Sequence, residues 1–259
     1  MSTRNILSLD TWFSVGARRR PRGVYEWIFT PFAVAIGVWV ITAATAIIIS
    51  PWTLCVIFFS GISALAFLTT GPFQDSSVDK PSILDIALSL VSILTGVYFA
   101  LNAPIIINRI VLLDELTQLD IIFGTVVLLL TLEITRRTTG LGLTSIVVLF
   151  ILYNLFGHNL SGVLQHGEID YLHFLEITIF TTDGVLGLPV RVAATYAFMF
   201  VMFGTVLHAC GGGDFFFNFA AAISGRSPGG PAKVAVISSG MYGMLSGSPT
   251  SDVVTTGSI

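Results

Sequence analysis

Long apolar runs alternate with short polar breaks along the chain, and the runs have the length a membrane demands. Stretches of about 17 to 25 apolar residues read as transmembrane helices, because a hydrocarbon core of roughly 30 Å must be crossed with every backbone group bonded internally. The pattern predicts spans over residues 27–49, 52–69, 83–101, 116–134, 141–157 and 189–209. A membrane β-barrel would instead show alternating segments of about 10 residues, and the sequence contains none.

Turn chemistry marks the breaks. Ser50-Pro51 folds the first two spans into a hairpin, and GPFQDSSVDKP is a polar loop before Ser82 and Asp85, which supply a helix start. Pro31 is placed in the first turn of span one, where its missing N–H costs little. Residues 102–113, with Pro104, Asn108 and Arg109, read as a loop or interfacial piece. Asp120 and Glu133 limit the fourth span. With Asp183 they are read as solvated caps at the interfaces rather than as members of a proton path. Residues 158–188 are mixed and acidic, and FLEITIF suits a helix lying in the interface. After the sixth span, GGGD precedes FFFNFAAAIS, too short to cross, with Asp214 as its expected cap.

The expected fold is an all-α polytopic membrane protein. It has about six transmembrane helices, an interfacial helix and the start of a re-entrant helical hairpin. Composition agrees: 10% of residues are charged and mean hydropathy is +0.87, against about a quarter charged in soluble domains. Net charge is −3 and the basic residues are scattered through loops, which argues against nucleic acid as a partner. With the N-terminus in the cytoplasm, ten of the twelve Lys and Arg residues fall inside and only Arg109 and Arg191 outside. Arg18, Arg19 and Arg20 read as topology determinants and the first span as an uncleaved signal anchor. Cys55 and Cys210 fall on opposite sides, so no disulfide is expected. A shift in composition at residues 136–140 places a boundary between a four-helix domain, 1–139, and a second domain, 140–259.

The sharpest feature is the terminal stretch SSGMYGMLSGSPTSDVVTTGSI. Residues 232–245 predict a helix of about 14 residues with Pro231 at its first position, roughly 21 Å long and too short to cross. It stops inside the membrane at Ser246-Gly247-Ser248-Pro249, and a second half-helix restarts near Ser251. Backbone broken at that depth is tolerated only where it is buried in protein or lines a watery cavity. The arriving helix aims carbonyls at the tip, which suits a small cation; the departing one offers N–H groups, which suit a carboxylate. Ser246, Gly247, Ser248, Pro249 and Asp252 are the candidate cation-binding residues. Ser248, Thr250, Ser251, Thr255 and Thr256 are candidates for an anionic substrate. Asp252 caps the returning half-helix or faces the cavity. The same small residues also suit close helix packing.

These residues resemble the large membrane component of tripartite ATP-independent periplasmic (TRAP) transporters, and in particular the fused permeases of the TAXI branch. The motifs are GGGDFF, GGPAKVAV, SSG, SGS and VVTTGS, all within residues 204–258. GVLGLPVRVAATYAFMFVMFG resembles the family's approach to this region. The resemblance implies that residues up to about 139 correspond to the small four-helix component. It also implies a sodium-coupled, elevator-type importer of organic acids, of the dicarboxylate or keto-acid class, in the cytoplasmic (inner) membrane. Substrate arrives from a soluble binding protein; ATP, enzymatic chemistry and any cofactor besides the coupling sodium are not implied. The short helix from Asp214 resembles the family's interfacial arm. Pro249, Thr250, Ser251 and Asp252 depart from the family pattern. The chain is expected to be a truncated part of such a permease that needs its remainder. The alternative is a non-transporting membrane scaffold that pairs with a separately encoded remainder.

Two other constellations are set aside. His158, His166 and His173 beside Glu168 and Asp170 match no ligand spacing, and residues 225–230 echo a phosphate loop but carry Pro231 where the lysine belongs.

Overall fold

The computed structural model describes residues 15–19, 23–45, 49–226 and 228–244. It is three-quarters helical, with no strand among the described residues. Among the described residues six helices are long and apolar enough to span a membrane. In chain order the helices are α1 (Val24–Thr45), α2 (Pro51–Thr69), α3 (Ile83–Leu101), α4 (Ala103–Ile107), α5 (Gln118–Thr139), α6 (Leu141–Phe156) and α7 (Tyr171–Ile179). Then come α8 (Leu188–Ala209), α9 (Gly212–Ser224) and α10 (Gly230–Gly243). The spans are α1, α2, α3, α5, α8 and α6, the last extended to Asn159 by a 3₁₀ turn.

Capping explains the sharp starts. Ser82 and Asp85 form a reciprocal capping box at α3, as do Thr117 and Asp120 at α5. Ser50 accepts from the Thr53 N–H at α2. Two expectations fail locally. Pro31 is the eighth residue of α1, because the helix begins at a Gly23 turn (φ +71°) rather than near Trp27. A proline there removes an interior hydrogen bond, which transmembrane helices tolerate. Asp214 is not the cap of α9: Gly211, at φ +80°, takes that position and leaves Asp214 in the first turn, beside the helix's positive end.

The chain divides into two compact units, residues 1–191 and 192–259. In the first, α2 and α3 are closely packed because small residues meet. A Cβ on Gly96 would lie 2.1 Å from Ser60 Oγ, and Ser92 Oγ donates to the Ser60 carbonyl at 3.1 Å. The core joins Trp52, Val56, Phe99, Ile106, Val127, Leu175, Ile179, Phe180 and Leu186. Phe99 meets Phe180 edge-on at 5.5 Å. The FLEITIF segment thus forms α7 and buries Leu175 and Ile179 in protein, a fuller burial than an interface helix requires.

The charged residues of this unit are also placed differently from the expectation. Asp120 is buried and accepts from Tyr98 Oη at 2.8 Å besides its cap bonds. Glu133 is no cap: it pairs with Arg136 at 2.8 Å and Arg137 at 2.7 Å. Arg137 also reaches Asp85 at 2.6 Å, and Arg19 reaches the other Asp85 oxygen at 2.5 Å. Arg19, Asp85 and Arg137 are all buried. Residues 15–19 are held there by backbone bonds, Gly16 N–H to the Arg137 carbonyl at 2.8 Å and Arg19 N–H to the Thr69 carbonyl at 2.7 Å. One arginine of the N-terminal run is therefore an internal strut. Asp183 is exposed.

Candidate functional site

Every candidate residue from Ser246 to Thr256 lies outside the described residues. What the structure describes is the helix that leads to them. α10 is 14 residues long, with Pro231 in its first turn and Gly229 in the left-handed region (φ +72°) as its cap. The glycines that echo a phosphate loop thus serve a helix start. The helix runs Gly230–Gly243, one to two residues earlier than expected, and at roughly 21 Å it is shorter than a membrane core. Its last four carbonyls have no partner within the helix, whatever follows.

α10 packs against α9, its neighbour in the second unit. Val234, Ser238 and Tyr242 recur at a spacing of four and are buried. Tyr242 stacks edge-on with Phe216 of α9 at 6.3 Å. Its hydroxyl lies 3.2 Å from Nδ1 of His208, near the end of α8. This contact fixes the end of α10 immediately before the predicted tip. Neither His208 nor Tyr242 stood out in the sequence, since a lone tyrosine and a lone histidine 34 residues apart carry no spacing signal. α8 itself contains a wide turn over Ala193–Ala197, with backbone bonds to the fifth residue. Such turns are frequent at functional sites.

Among the described residues no group of three or more His, Cys, Asp or Glu side chains is placed to hold a metal ion. His166 faces two backbone carbonyls, Tyr153 at 2.9 Å through Nε2 and Gly167 at 2.6 Å through Nδ1. Both contacts favour the doubly protonated ring, so the pKa of His166 is raised above its ordinary value, first by the Tyr153 carbonyl and then by that of Gly167. Cys55 is buried and Cys210 exposed, and both are free thiols.

Six apolar spans, a braced half-length helix and a helical fold throughout place this chain in the class of polytopic membrane proteins. The family model described as Tripartite ATP-independent periplasmic transporter, DctM component, matches residues 126–259, just over half of the chain. The chain belongs to that family, a membrane permease component of TRAP transporters. No curated protein and no solved structure gives a significant match.

Proposed function

We propose that this chain is a membrane permease component of a sodium-coupled, binding-protein-dependent importer of organic acids of the dicarboxylate or keto-acid class, with small and large components fused as in the TAXI branch. The observation that carries the reading is the family match over residues 126–259, which takes in α8, α9, α10 and the whole segment 246–258. The half-length of α10 and the brace at Tyr242 support it. A helix that stops short of the membrane's far side presents partially negative carbonyls at its end, where a sodium ion gains most.

In this reading Ser246, Gly247, Ser248, Pro249 and Asp252 hold the sodium. Ser248, Thr250, Ser251, Thr255 and Thr256 hold the substrate carboxylate. The large component starts near residue 140, after the charged turn Arg136-Arg137, and the family match begins inside α5. The N-terminus lies in the cytoplasm. Two facts support that orientation: the ten-to-two distribution of basic residues, and the gathering of Arg19, Arg136 and Arg137 at one end of the first unit.

The site is tested in proteoliposomes holding the permease that carries this sequence, together with its binding protein. Gly247→Leu fills the tip and is expected to abolish uptake. Ser248→Ala removes one oxygen ligand and is expected to raise the sodium concentration for half-maximal uptake several-fold. Uptake indifferent to both changes rejects the assignment.

A further inference from the structure

In the middle of α1 the fit to α2 is close. Ile36 and Val40 are buried, and a Cβ on Gly61 of α2 would lie 2.8 Å from Ile36 Cδ1. Nearer its start α1 stands off, and a cleft of about 320 Å³ opens between it and the α2–α3 hairpin. Its lining begins at Tyr25 and Pro81, at the starts of α1 and α3, takes in Leu68 from the last turn of α2, and reaches Phe32 and Ile93. Eight of the ten lining side chains are hydrocarbon, so the occupant must be apolar. From Ile83 to Ile93 α3 rises roughly 15 Å, half of a hydrocarbon core of about 30 Å. The cleft therefore has the depth of one leaflet.

A second observation lies at the mouth. Arg18, Arg19, Arg20 and Arg22 precede α1 in sequence, and Lys80 precedes Pro81. Arg19 is turned inward to Asp85, whereas Arg18 and Lys80 are exposed. The backbone of Arg18 bridges to Thr70, two residues past Leu68, which sets this side chain at the end of the bundle where the cleft begins. Within residues 18–26 and 79–81 the four basic residues besides Arg19 face two acidic ones, Glu26 and Asp79, which leaves two positive charges in excess.

We infer that the cleft holds one acyl chain of an anionic phospholipid whose phosphate lies at Arg18 and Lys80. The apolar cleft of leaflet depth takes the chain. A basic cluster immediately outside a span selects the head group, by about fivefold in affinity for each cation. The lipid fills the space that protein leaves between α1 and the hairpin, and the inference rests on neither sodium coupling nor the transported substrate.

The purified protein in detergent is titrated with dioleoyl phosphatidylglycerol or dioleoyl phosphatidylcholine, and bound lipid is counted by native mass spectrometry. Phosphatidylglycerol is expected to bind about tenfold more tightly. Arg18→Gln and Lys80→Gln each lower its affinity about fivefold and leave phosphatidylcholine unchanged. Leu90→Trp, at an exposed position on the cleft wall, fills the cleft and lowers the affinity for both lipids about tenfold. Leu149→Trp, exposed on α6 away from the cleft lining, changes neither. The two charge changes are at exposed side chains, so they decide the matter even if Leu90→Trp misfolds. Equal affinity for the two lipids, phosphatidylglycerol binding indifferent to both charge changes, or binding by folded Leu90→Trp at the wild-type level each overturns the proposal.

Discussion

At one end of α2, α3 and α5, five charged side chains from Arg19 to Arg137 share partners; the buried Arg19, Asp85 and Arg137 are each ion-paired, although Arg137 Nη2 is buried with no partner among the described residues. At the other end of the same helices, roughly 28 Å away for a 19-residue helix, the buried Trp52 N–H has no partner among the described residues and an open recess lies beside that residue. The difference follows from charge. A buried ion left unpaired costs several kcal/mol, so a fold that buries Asp85 must bring at least one arginine to it, and here two are in place. A neutral N–H left unpaired costs about 1–3 kcal/mol, small enough for a fold to tolerate.

The comparison is most easily broken at the charged end. Asp85→Asn leaves Arg19 and Arg137 facing each other in a buried site and is expected to cost about 3–5 kcal/mol, read as a drop in the unfolding midpoint in lipid or detergent. Arg19→Met sharpens the point, since it leaves Asp85 and Arg137 as a one-to-one pair and should cost distinctly less. Next comes Tyr98→Phe, which removes one of the bonds to Asp120 while its cap bonds from Thr117 remain. A loss of about 1–2 kcal/mol is expected in the same measurement.

At the open end the sign changes. Trp52→Phe deletes an unpaired donor and keeps an aromatic ring, so the protein should lose less than about 1 kcal/mol or gain stability. A large destabilisation would mean that the N–H is satisfied and the two ends are alike. The smallest effect belongs to His166. Its pKa is raised in the folded loop, so its contribution is complete below the ordinary value near 6.5 and is lost as pH rises through the folded value. Amide exchange of the segment around residues 157–167 should quicken across that window, and His166→Gln should flatten the profile.

The fold was legible because its dominant requirement, spanning a membrane, is written in run lengths. The α3 bounds 83–101 follow from Ser82, Asp85 and the apolar run alone. The start of the first span is less legible, because Trp27 suggests an interface while the helix begins earlier, at the Gly23 turn. The charged network was not legible. Arg19, Asp85 and Arg137 lie 52 to 118 positions apart, and each has an ordinary surface role when read singly. The cap of α9 is not legible either, because Gly211 adopts a left-handed turn that only the backbone reveals and takes the place that Asp214 suggests. For the candidate site, the break after α10 followed from its glycines and serines, while the brace from His208 and Phe216 to Tyr242 required the fold.

The proposal tested most directly is secondary transport driven by sodium. The most direct measurement is uptake of a labelled dicarboxylate or keto-acid pool into ATP-free proteoliposomes containing the permease and its binding protein, with an inward sodium gradient imposed or withheld. The account predicts accumulation that requires both the gradient and the binding protein. Accumulation of equal rate and extent without sodium, or without the binding protein, would contradict it.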